Sequence, residues 1–152
     1  MKNRDLSIFT NKKEFIDFTN KFGLNVSVKD GALYLMNEYV YIYIYMLLPF
    51  VYIPELIIYN RKGNTYSTIN SLEFLREKDA LLLYDEYDRI HNTFNVDKKN
   101  LNDINVERMF IININILSAL FPEFFKGDFS KYISTFKPLR NFDVKIIKEF
   151  AI

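Results

Sequence analysis

Residues 39–46, Tyr-Val-Tyr-Ile-Tyr-Ile-Tyr-Met, alternate with a period of two. A helix repeats every 3.6 residues, so the pattern requires extended backbone, with successive side chains on opposite sides. Tyr39, Tyr41, Tyr43 and Tyr45 then share one face, and Val40, Ile42, Ile44 and Met46 the other. With both faces apolar, the run suits a central strand of a two-sided sheet. From Tyr39 to Pro54 there is no formal charge. The stretch is still shorter than the roughly 20 residues of a membrane helix, and Pro49 and Pro54 interrupt it.

The flanking sequence builds a meander around this strand. Leu24, Val26 and Val28 alternate with Asn25 and Ser27, and Asp30-Gly31 supplies the left-handed pair of a tight hairpin. Ala32–Met36 is the return strand and Asn37-Glu38 a second turn. After Pro54, residues 56–59 form a short strand, 60–64 a turn, and 65–68 its partner. Ahead of the meander, Asn11 and Glu14 have capping-box spacing, Phe15, Phe18 and Phe22 lie on one helical face, and Gly23 stops the helix.

The second half reads as helical. Asn70 with Glu73 is a capping pair, Ile69 and Phe74 form a staple, and residues 80–90 repeat at helical intervals. Ile112-Asn-Ile-Asn-Ile116 alternates like a strand. Glu107, Arg108, Asn115 and Ser118 nevertheless share one helical face, so 106–120 is expected to be a helix ending before Pro122. Asp128 caps a short amphipathic piece, Pro138 breaks it, and Asp143 starts a last helix through Phe150. The expected fold is α+β in one globular domain, residues 1–152. An N-terminal helix precedes an antiparallel meander of four to five strands, and a mainly helical C-terminal half packs on the sheet.

Missing residues remove most chemistry. Without cysteine there is no disulfide, thiolate zinc site, iron–sulfur cluster or Cys nucleophile. His91 is the only histidine, and the four glycines are too scattered for a phosphate-cradling loop. A formal charge of +1 argues against a dedicated duplex-DNA binder. The first residues lack the apolar run of a secretory signal, so the cytoplasm is the expected compartment.

Two constellations remain. The four tyrosines Tyr39, Tyr41, Tyr43 and Tyr45 offer stiff, amphipathic contact area of the kind enriched in protein-binding surfaces. Basic residues do not interleave with them along the chain, which favours a protein partner, or self-association, over single-stranded nucleic acid. The second is acidic: Asp85, Glu86 and Asp88 could hold Mg²⁺ for phosphodiester cleavage, with Arg89 clamping phosphate and His91 shuttling a proton. The same carboxylates also fit a solvated helix face, since residues 73–88 carry a net −4. The leading expectation is a non-enzymatic, cofactor-free protein-binding accessory protein, of inhibitor or immunity type or virus- or plasmid-encoded. The alternative is a Mg²⁺-dependent nuclease acting on DNA or RNA.

Overall fold

A computed structural model describes residues 2–48, 54–68 and 103–150. The expected helices at 70–90, and with them Asp85, Glu86, Asp88, Arg89 and His91, lie outside the described residues.

The first helix, α1 (Lys13–Lys21), buries Phe15 and Phe18. It ends where expected: Gly23 takes φ +61°, its N–H donates to the Asn20 carbonyl at 3.4 Å, and the Leu24 N–H donates to the Thr19 carbonyl at 2.9 Å. These paired bonds satisfy carbonyls that a helix end leaves bare. The start differs from expectation. A 3₁₀ turn (Ser7–Phe9) runs on through hydrogen bonds to Lys12, so Lys12 becomes the N-cap, without a side-chain cap, and Asn11 lies outside the first turn.

The meander follows as β2 (Asn25–Lys29), β3 (Ala32–Met36), β4 (Val40–Tyr45), β6 (Glu55–Asn60) and β7 (Thr65–Thr68). Two-residue strands β1 (Lys2–Asn3) and β5 (Leu47–Leu48) pair separately. At the β2–β3 turn Asp30 and Gly31 have φ +51° and +82°, the conformation a two-residue hairpin needs. A side chain on Gly31 would also lie 3.0 Å from the Arg4 carbonyl, so the N-terminal strap needs glycine there as well.

The sheet gains a sixth strand, in the order β2-β3-β4-β6-β7-β8, where β8 is Lys137–Pro138. Pro138 was expected only to break a helix. It instead ends a two-residue edge strand, where a missing N–H is tolerated. The piece after Asp128 is a 3₁₀ segment (Ser130–Thr135), kinked at Tyr132, rather than an α-helical turn. The Asp128 carboxylate accepts the Ser130 N–H and hydroxyl, and Phe129, Tyr132 and Phe136 close around Phe124.

One sheet face (Leu33, Leu35, Val40, Ile42, Ile44, Leu56, Ile58) forms the larger core with α1 and with α2 (Asp103–Leu120). The helical reading of 106–120 holds. Asn115 is exposed, whereas Asn113 is buried and donates to the Pro54 carbonyl at 3.3 Å. The opposite face carries α3 (Asn141–Phe150), giving helix, sheet and helix layers. Asp143 lies inside the first turn of α3 rather than ahead of it. No helix among the described residues is long and apolar enough to cross a membrane.

Candidate functional site: the tyrosine face and its arginine rim

Strand β4 places Tyr41, Tyr43 and Tyr45 on one face, but Tyr39 does not join them. The Asn37 Oδ1 accepts the N–H groups of Tyr39 (2.8 Å) and Val40 (3.1 Å), closing a turn that delays the strand until Val40. Tyr39 is half-buried and packs against the larger core on the opposite side, its ring so close to Gly127 that a Cβ there would meet it at 2.8 Å. The expected ladder of four is a ladder of three.

Register extends the ladder across the sheet. Tyr34 lies opposite Tyr43, and Met36, Tyr41, Tyr59, Tyr66 and Lys137 form one cross-strand row. Tyr43 is central, with only 4% exposure, its ring stacked on Tyr45 at 4.7 Å and tilted against Tyr34 at 5.0 Å. Burial pushes the Tyr43 hydroxyl well above its ordinary range and that of Tyr45 up to about 12. Both phenols stay neutral at physiological pH.

α3 covers the middle of this face. Phe150 packs on Tyr34 (5.0 Å) and Tyr41 (4.5 Å), while Phe142, 41% exposed, lies over the edge of Tyr43 and Tyr45. The N-terminal end of the helix is anchored by Asp143, which is fully buried. Asp143 Oδ1 accepts the Tyr59 hydroxyl at 2.8 Å and an Arg140 N–H at 3.0 Å. Its Oδ2 accepts the Arg140 Nε–H at 2.7 Å and the Arg140 backbone N–H at 2.9 Å. Burial alone would raise this carboxyl. The arginine and the tyrosine hydroxyl outweigh it and hold the group below its ordinary value.

Each half-exposed tyrosine of the row, Tyr41 and Tyr66, carries an arginine. The Arg61 guanidinium lies 4.4 Å from the centre of the Tyr41 ring, and that of Arg140 lies 4.2 Å from Tyr66. Both planes are anchored, Arg61 by donating to the Asn37 carbonyl and Arg140 by its forked contact with Asp143. Tyr41 and Tyr66 stand two strands apart, about 10 Å, with exposed Lys137 next in the row. The expectation that bases do not interleave with the rings therefore fails in space. Arg61 and Arg140 are distant from the ladder in sequence, and only the β6–β7 turn and the β8–α3 junction bring them in. Sequence reasoning also missed Tyr34, Tyr59 and Tyr66. Period two in β3, β6 and β7, combined with the registers set by the 37–39 turn for Tyr34 and the 60–64 turn for Tyr59 and Tyr66, would have found them.

The arrangement combines packed phenols with two anchored guanidinium groups. Its one buried carboxylate is fully engaged, and among the described residues no group of three His, Cys, Asp or Glu gathers to hold a metal. Comparisons with protein-family models, curated proteins and solved structures find no match.

Proposed function

We propose that the chain is a non-enzymatic protein-binding accessory protein of the inhibitor or immunity type. It works in the cytoplasm and docks one protein partner on the arginine-rimmed part of its tyrosine face. The observation that carries the proposal is the pair of anchored guanidinium–phenol contacts, Arg61 on Tyr41 and Arg140 on Tyr66, on the two half-exposed rings that flank buried Tyr59 in one row. Tyr and Arg dominate binding hot spots, and side chains already fixed in place lose little freedom on docking. Exposed Lys137, Lys145 and Lys148 lie on β8 and α3, whereas Asp143 is buried and Glu149 is paired with Lys29, so the surface favours an acidic partner.

Affinity purification with mass spectrometry, using the wild type, Tyr66→Ser and Lys137→Glu, tests this. Both variants are expected to keep the wild-type circular dichroism spectrum and lose the partner that the wild type captures. Equal recovery of that partner by all three chains, or no partner for the wild type, would overturn the proposal.

A further inference from the structure

The two edges of the six-stranded sheet are built differently. β8 is two residues long and ends in proline, features that block strand addition. β2 is five residues long and proline-free, with Val26 and Val28 exposed at 40% and 45%. A lysine often guards such an edge. Lys29 is instead drawn onto the tyrosine face, where its ammonium donates to the Glu149 carbonyl, pairs with the Glu149 carboxylate at 3.5 Å and lies 5.6 Å from the Tyr34 ring centre.

The hairpin also decides which backbone groups are free. Lys29 and Ala32 close a two-residue loop and are therefore a hydrogen-bonded pair, as are Ser27–Tyr34 and Asn25–Met36 by alternation. Val26 and Val28 consequently turn their N–H and C=O groups outward, where no described strand meets them.

We infer that β2 pairs antiparallel with β2 of a second copy about a two-fold axis at Ser27, joining two sheets into one. This register sets Val26 opposite Val28 of the second copy, and it pairs the outward groups of both valines on both chains. Shifting the axis by one residue pairs only one valine of each chain with its equivalent. The inferred register also sets Lys29 opposite Asn25, so no like charges face each other. The four valines meet on one side of the joined sheet, and each copy keeps its own tyrosine face and arginine rim. A pair of five-residue strands buries less than the roughly 1,200 Å² of a stable interface, so the dimer is reversible, with a dissociation constant on the order of tens of micromolar.

Sedimentation velocity of the full chain from about 5 to about 500 µM tests the inference; that range brackets the expected constant. The wild type is expected to shift from monomer towards dimer. Val26→Pro removes an N–H that the monomer does not use and is expected to stay monomeric with an unchanged circular dichroism spectrum. Val28→Lys keeps the backbone intact and is expected to weaken association at least tenfold. A wild type that stays monomeric throughout overturns the inference, whatever other protein the edge takes. So does Val28→Lys dimerising as strongly as the wild type.

Discussion

Asp143 has no solvent exposure, and both of its oxygens are occupied by Arg140 and Tyr59. A buried carboxylate of this kind stabilises the fold only while it is charged and fully partnered. Its folded-state pKa lies below the ordinary value, so its contribution is complete above the ordinary Asp range and is lost as pH falls through the folded value. Glu55 acts with the opposite sign. Burial raises its pKa, and its ionisation costs stability as pH rises from the ordinary towards the raised value. Asp143→Asn is expected to lower stability by about 1–3 kcal/mol at neutral pH. The gap between variant and wild type should narrow below roughly pH 4. Urea unfolding of both chains between pH 3 and 7 checks this, and a gap independent of pH would contradict it.

At the scale of elements, α3 holds to the sheet unevenly. Phe150 is 2% exposed between Tyr34 and Tyr41, whereas Phe142 is 41% exposed at the rim. Phe150→Ala is therefore expected to cost about 3–5 kcal/mol and Phe142→Ala about 1 kcal/mol or less. Denaturant midpoints decide it, and equal costs would mean that α3 is not seated through its last turn. The elements legible in the sequence were those whose signal is local. Phe15, Phe18 and Gly23 mark α1 by spacing and by a left-handed stop. Asp30-Gly31 fixes a hairpin because few other residue pairs take positive φ. Alternation alone identifies β4. Tyr39 left the ladder because the side chain of Asn37, two residues earlier, captured its N–H, which period counting does not register. β8 was unreadable because only an edge position excuses Pro138. The arginine rim was hidden for a similar reason, since Arg140 reaches Tyr66 through strand order rather than through sequence proximity.

For the whole molecule, the antiparallel sheet separates two tasks. One face forms the larger core with α1 and α2, and among the described residues α3 covers the middle of the other. On the second face Tyr43 and Tyr59 are buried whereas Tyr41 and Tyr66 are half-exposed, and the proposed docking uses the half-exposed pair. Tyrosine nitration, mapped by mass spectrometry in the free chain and in the chain bound to its captured partner, tests that division directly. In the free chain Tyr41 and Tyr66 should react while Tyr43 and Tyr59 stay protected, shielded by burial and by hydroxyl pKa values raised above the ordinary range. In the complex Tyr41 and Tyr66 should become protected as well. Free-chain nitration of Tyr43 and Tyr59 at the rate of Tyr66, or a complex in which Tyr41 and Tyr66 react as before, would contradict it.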